Sequence, residues 1–89
     1  MSIYVVRACR AKKGKNQEVQ QLLKKATESI PKSFVYQSMG DPNDIGVFAE
    51  FDGEKAARAF ATSAEQDAIT QKLASLVQDA TPLSVWNRV

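Results

Sequence analysis

Residues 33–51 read SFVYQSMGDPNDIGVFAEF and hold two apolar stretches separated by a run of turn-forming residues. Residues 33–39 and 45–51 are rich in β-branched and aromatic side chains, which favour β-strands. Residues 40–44 (GDPND), which lie between them, are types that favour turns. The stretch therefore predicts a β-hairpin in the middle of the chain.

A strand and a helix are predicted before this hairpin. Residues 3–10 (IYVVRACR) have the composition of a strand. From Val19 to Ile30, apolar residues recur at the spacing of one helix face. Pro31 ends this pattern, because proline disfavours helical geometry at the residue before it.

A second helical stretch and a last strand are predicted after the hairpin. Residues 52–77 carry a helical pattern that restarts at Ser63, which has capping-box spacing to Gln66. The pattern places Val77 on the apolar face of the restarted helix. Residues 83–89 (LSVWNRV) have the composition of a strand.

The resulting order of elements is βαββαβ. A strand–helix–strand crossover is nearly always right-handed. Two interleaved crossovers give a four-stranded antiparallel sheet with both helices on one face. A chain of 89 residues has room for one domain. We therefore expect residues 1–89 to form a single α+β domain.

Both faces of the predicted sheet carry apolar or aromatic side chains, because neighbouring residues of a strand point to opposite faces. Two helices can cover only one face. A contiguous apolar patch on the other face usually marks an interaction surface, and its burial at ~25 cal/mol per Å² would favour association. We expect a homodimer with two-fold symmetry, the alternative being a monomer with a few exposed aromatics. The expected interface residues are Tyr4, Val6, Phe48 and Trp86.

The composition excludes several kinds of catalytic site. The chain holds no histidine and a single cysteine, Cys9. A Ser-His-Asp or Cys-His site is therefore excluded, and no zinc-ligand cluster can be drawn. We expect neither a metal nor a cofactor.

Charge and hydropathy suggest the surroundings of the protein. The net charge is +2, with acidic and basic residues interspersed, so no general attraction to nucleic acid is expected. No apolar stretch is long enough to span a membrane, and the first residues lack the pattern of a signal peptide. A lone thiol suits a reducing compartment, so the expected location is the cytoplasm.

Several short motifs follow one another along the chain in a characteristic order. They are Lys13-Gly14-Lys15 at the start of the first helix, Asp41-Pro42-Asn43-Asp44 before the strand that ends Glu50-Phe51-Asp52, the trio Ala56, Ala57 and Phe60, and Ser63-Ala64-Glu65. In this order the chain resembles the dimeric α/β-barrel superfamily, specifically the antibiotic-biosynthesis monooxygenase type of domain. The resemblance implies a ferredoxin-like fold and dimerisation through the sheets. It also implies a small aromatic or hydrophobic ligand between the sheet and the second helix.

The sequence departs from this family's pattern where chemistry is expected. Phe60 stands where many members carry histidine or tryptophan, and Arg7 where haem-degrading members have asparagine. Asp67 and Thr70 stand where those members use histidine. These departures disfavour haem degradation and leave the oxygenases that use no cofactor.

Three residues are candidates for catalysis. Arg7 could hold a carboxylate or enolate, unless it pairs with Glu50 or another carboxylate of the sheet, or emerges at a sheet edge. Glu50 could act as a base, unless it is salt-bridged. Tyr36 could donate to a phenol or quinone oxygen, unless it only packs. The pocket expected between sheet and helices is lined by Val5, Arg7, Phe51, Phe60 and Ile69.

Three functions therefore compete. The first is a cofactor-independent, monooxygenase-type enzyme acting on a small aromatic or quinol-like molecule. The second is a non-catalytic dimer of the same fold that binds a small ligand or serves assembly. The third is a module resembling an RNA-recognition domain, which shares the βαββαβ order and displays sheet aromatics. Asp44 and Gly46 stand where that module carries a basic and an aromatic residue, which disfavours the third function.

Overall fold

The computed structural model describes residues 2–89, which form five strands and three helices. In chain order these are β1 (Ile3–Ala11), α1 (Asn16–Ala26), β2 (Ser33–Gln37), β3 (Asp44–Phe51), α2 (Glu54–Ala61), α3 (Ala64–Leu73), β4 (Val77–Ala80) and β5 (Ser84–Asn87).

All strands pair antiparallel in one sheet with the order β2-β3-β1-β4, and β5 also pairs with β1. β4 runs along Cys9–Ala11 at the end of β1, and β5 runs along Ile3–Val6 at its start. The last two strands therefore share one position in the sheet. This arrangement confirms the ferredoxin-like βαββαβ fold, with its fourth strand divided in two.

The division of the fourth strand falls at residues 81–83. The Thr81 N–H donates to the Ala8 carbonyl over 2.8 Å, and the Thr81 hydroxyl accepts from the Ala8 N–H over 3.0 Å. Pro82 follows and has no N–H to continue the ladder. The threonine side chain thus stands in for a backbone partner where the strand is interrupted.

The predicted end of the last helix is wrong. The helix stops at Leu73, and Val77 begins β4 instead of lying on the helix. Leu73 and Val77 are buried in the same core cluster. The spacing of apolar residues could not tell whether Val77 lies on a helix or on a strand, because both place its side chain toward the core.

The hairpin of β2 and β3 forms as predicted, although β2 ends at Gln37. Tyr36 is the register partner of Gly46, and its ring lies where a side chain on Gly46 would stand. A Cβ atom here would overlap the tyrosine ring, so any larger residue at this position would displace the Tyr36 side chain.

The helices cover one face of the sheet, and the core lies between them. Alternation along β1 buries Ile3, Val5, Arg7, Cys9 and Ala11 on that face. One core cluster joins the end of β1 to α1 and α3, and a second joins its start to α2 and β5. In the part of the chain that is described, no helix is long and apolar enough to cross a membrane.

Candidate functional site

Arg7 lies at the centre of β1 and faces the helices, with only 4% of its surface exposed. Its Nη2 donates to Thr70 Oγ1 over 2.7 Å. That hydroxyl in turn donates to the Gln66 carbonyl over 2.9 Å. The hydroxyl proton therefore points to the Gln66 carbonyl of α3, and the Thr70 oxygen accepts the hydrogen bond from the guanidinium.

Arg7 has no carboxylate partner within residues 2–89. The ion pairs in that range are made by Arg10, Lys15, Lys32 and Arg58. The Arg7 Nε atom is buried without a hydrogen-bond partner. Burying a charge is costly unless it is paired, so a guanidinium in this state favours the arrival of an anion.

Burial lowers the pKa of the Arg7 guanidinium, and nearby Cys9 opposes part of that effect. Arginine nevertheless remains protonated at neutral pH, because its ordinary pKa lies far above neutral. Burial raises the pKa of the Cys9 thiol, and Arg7 offsets only part of the increase. At neutral pH the site therefore holds a charged Arg7 guanidinium and, near it, an un-ionised Cys9 thiol.

A cavity lies between the sheet and the helices at the place where a pocket is expected. Val5, Arg7, Phe60 and Ile69 contribute to its wall. Phe51 is outside the wall and packs against Phe60, with ring centroids 5.3 Å apart. The cavity volume is about 10 Å³. This is room for about one water molecule, so the interior is closed to a larger ligand in this conformation.

Arg7 also lines a second space, an open groove between α3 and residues 77–82. Its volume is about 420 Å³, and Thr70, Leu73 and Ala74 form its α3 side. Arg7 thus stands in the wall between a closed interior cavity and an open outer groove.

Glu50 and Tyr36 lie on the opposite face of the sheet from Arg7. Glu50 accepts a hydrogen bond from the Ser2 hydroxyl over 3.2 Å and lies 3.8 Å from Lys32 Nζ. Tyr36 covers Gly46. The structure therefore does not bring these two candidates together with Arg7.

Gln66 has a buried role that the sequence did not indicate. The Ser63 hydroxyl accepts from the Gln66 N–H over 3.2 Å, which confirms the predicted restart of the helix. The Gln66 side chain does not return to Ser63 as in a capping box. Its Nε2 donates to the Ala26 carbonyl over 3.0 Å, which ties α3 to the end of α1.

The outward face of the sheet is aromatic, as its alternation predicts. Tyr4 and Phe48 have ring centroids 4.9 Å apart, and Phe34 stacks on Phe48 at 5.1 Å. Phe34 is 56% exposed and Trp86 is 59% exposed. The expected interface residues Tyr4, Val6, Phe48 and Trp86 all lie on this face. Phe34 and Tyr36 extend it, and the hairpin register was the signal that could have added them.

Solved structures of low sequence identity share the fold. A "putative Antibiotic biosynthesis monooxygenase" from Chloroflexus aurantiacus J-10-fl has a TM-score of 0.77 at 16% identity, over 100% of this chain and 94% of that one. A conserved protein from Methanosarcina mazei Go1 has a TM-score of 0.80 at 21% identity, over 100% and 94%. A protein from Bacteroides fragilis NCTC 9343, described as dimeric, of unknown function and ferredoxin-like in fold, has a TM-score of 0.69 at 18% identity, over 98% and 96%.

The sequence itself has no match among family models, and none among curated proteins. At the identities above, the structural likeness shows the fold. Proteins described as of the antibiotic-biosynthesis monooxygenase type share it, in agreement with the resemblance found in the sequence.

Proposed function

We propose that the chain is a homodimeric, monooxygenase-type enzyme that oxidises a small aromatic or quinol-like molecule without a cofactor. The observation that carries the proposal is the Arg7 guanidinium, which is buried beside a mainly apolar cavity and has no carboxylate partner among residues 2–89. Its role is to hold the substrate as an anion. Likeness in fold to proteins described as monooxygenases supports the reaction type by analogy.

The reaction needs no electron donor besides the substrate. For a hydroquinone, a C–O bond forms at a ring carbon, the proton of that carbon is lost, and the O–O bond breaks to release water. Hydroquinone and O₂ thus give a hydroxyquinone and water, with one oxygen atom of O₂ in each product. An oxygen anion makes the ring electron-rich, and a fixed guanidinium stabilises that anion.

The interior cavity has to open before such a substrate can bind. α2 is the element best placed to move, because it spans only Glu54–Ala61 and Ala57 is its one fully buried residue. Phe60, on the last turn of α2, lines the cavity. Displacement of α2 would withdraw this ring and enlarge the space beside Arg7.

We propose that two copies associate through their outward faces. An exposed aromatic surface spanning β2, β3, β1 and β5 supports this, because such patches usually mark interfaces. The fold is also that of a neighbour described as dimeric. The helices and the Arg7 site of each copy would then lie on the outside of the pair.

The test is O₂-dependent turnover of a panel of hydroquinones, followed by ¹⁸O₂ labelling of the product. One ¹⁸O atom in the hydroxyquinone is expected, whereas uncatalysed oxidation to the quinone inserts none. Arg7→Gln is expected to lower kcat by about 10²-fold or more, as removal of one oxyanion donor does. Arg10→Gln, a change of an exposed arginine on the same strand, is the control and is expected to turn over normally. Equal turnover by Arg7→Gln and the unmodified protein would remove Arg7 from the mechanism.

The second candidate is a non-catalytic dimer that binds a small ligand or serves assembly. The closed interior, and the position of Glu50 and Tyr36 away from Arg7, favour this alternative. No second ionisable group of the predicted set converges on the guanidinium. Saturable binding of a hydroquinone without ¹⁸O incorporation would establish this function in place of the first.

A further inference from the structure

The groove beside α3 gives Arg7 an opening that the interior cavity does not. The groove has a volume of about 420 Å³, against about 10 Å³ for the cavity. Small-molecule sites have volumes of roughly 300–1,000 Å³. A ligand can therefore approach Arg7 from the groove without any displacement of α2.

The lining of the groove is apolar apart from a few polar groups. Leu73, Val77 and Pro82 supply the apolar surface. Thr70, which accepts the Arg7 hydrogen bond, and Thr81 supply hydroxyls. One carboxylate, Asp79, also borders the groove. Asp79 is exposed and is the register partner of Arg10, whose side chain lies on the outward face.

We propose that this groove binds a small organic carboxylate whose apolar body packs against Leu73, Val77 and Pro82 and whose carboxylate group pairs with Arg7. A planar guanidinium matches a planar carboxylate, and charge-assisted hydrogen bonds between them are among the strongest. A phosphate is a poorer fit, since it carries up to two charges and Arg7 is the one cationic residue in the groove's lining among residues 2–89. The site goes beyond the proposed oxidation, because it needs neither O₂ nor an open interior.

The test is a titration with benzoate, followed by amide chemical shifts in the ¹⁵N-labelled protein. Saturable shifts are expected at Thr70, Ala74 and Gln78, which border the groove. Amides of Leu23 and Ala49, which border only the interior cavity, are expected to stay unchanged. Benzamide, which has a similar shape but no charge, is expected to bind about tenfold or more weakly, because the charge-assisted pair is lost.

Three variants complete the test. Arg7→Gln is expected to weaken benzoate binding about tenfold or more. Ala74→Phe fills the groove from an exposed position, so it is expected to abolish binding in a folded protein even if Arg7→Gln disturbs the core. Arg10→Gln is the matched control, and it is expected to bind benzoate as the unmodified chain does.

Three results would overturn the proposal. The first is benzoate binding that survives both Arg7→Gln and Ala74→Phe, and the second is no binding at all. The third is a set of shifts centred on Leu23 and Ala49, which would place the ligand in the interior cavity. The third result would leave the proposed oxidation standing, whereas groove binding without turnover of hydroquinones would support the groove site and contradict the oxidation.

Discussion

The side chains of Arg7 and Thr70 meet between the sheet and α3, with 2.7 Å between Arg7 Nη2 and Thr70 Oγ1. This bond joins the central strand β1 to α3. Within residues 2–89 the Arg7 guanidinium makes no ion pair, and Thr70 is its hydrogen-bonding partner. The Thr70 hydroxyl therefore satisfies one of the donors of the buried guanidinium.

Thr70→Val is expected to lower the free energy of unfolding by about 1–3 kcal/mol, because it leaves a buried donor without its acceptor. Urea denaturation measures the change. Thr62→Val is the matched control, since Thr62 is exposed like Thr70 and makes the same type of bond to a carbonyl one turn earlier, but accepts no hydrogen bond from an arginine within residues 2–89. The control is expected to stay within about 0.5 kcal/mol of the unmodified chain. Equal effects of both variants would mean that the Arg7 bond adds nothing.

Stability is expected to fall as the pH rises above about 8.5. The unfolded Cys9 thiol ionises near that pH, whereas burial raises the pKa of the folded thiol. Above this pH the folded state keeps a proton that the unfolded state has lost, so the contribution present at lower pH declines by at most about 1.4 kcal/mol per pH unit. Urea denaturation between pH 7 and 9.5 measures the slope. The Cys9→Ala variant is expected to be less stable at every pH, but its stability should depend less on pH. If the stability of the variant fell with pH as steeply as that of the unmodified chain, Cys9 would not be the titrating group.

Gly46→Ala is expected to cost about 1–3 kcal/mol of stability, because the added methyl group displaces the Tyr36 ring. Gly53→Ala is the control, since a Cβ atom there meets nothing within 4 Å. Thermal unfolding of both variants measures the difference. Tyr36→Ala in the Gly46→Ala background is expected to remove the overlap. A double variant as unstable as the sum of its single changes would rule out this cause.

Trp86→Glu and Phe34→Glu are each expected to weaken the proposed dimer about 100-fold or more, because a charge is placed in an aromatic surface. Sedimentation velocity over a concentration series measures the association. Met39→Glu is the matched control. Met39 is a fully exposed apolar residue beyond the end of β2, and its replacement is expected to leave the dimer intact. A monomer in the unmodified chain at all concentrations would refute the dimer.

The sheet face on which Arg7 lies could be predicted from the sequence. Its lack of a carboxylate partner among residues 2–89 could not. Alternation along β1 places Arg7 beside Val5 and Cys9, and the structure confirms that face as the helical one. Alternation cannot show that Glu50 is engaged by Ser2 and Lys32 on the other side. Whether Arg7 pairs with Glu50 could therefore be decided only once the pairing of β1 with β3 was known, because that pairing places Glu50 on the opposite face.

The outer groove beside Arg7 could not be predicted from the sequence, because it depends on where α3 ends. With Val77 on a helix, as the periodicity predicts, residues 77–80 would not form a strand next to β1. The structure ends α3 at Leu73 and turns the chain back along β1, which leaves a space between the two segments. The closure of the interior cavity likewise depends on the packing of Phe60, which no local pattern encodes.

The interruption at residues 81–83 has a consequence for how copies of this chain can meet. β4 and β5 lie at a border of the sheet, and a long unbroken border strand would be a template on which further chains could add without limit. Pro82 supplies no N–H at this border, and the regular series of backbone donors is interrupted between β4 and β5. Open-ended growth into fibres is disfavoured on that side, whereas the proposed association through the broad aromatic surface would close after two copies.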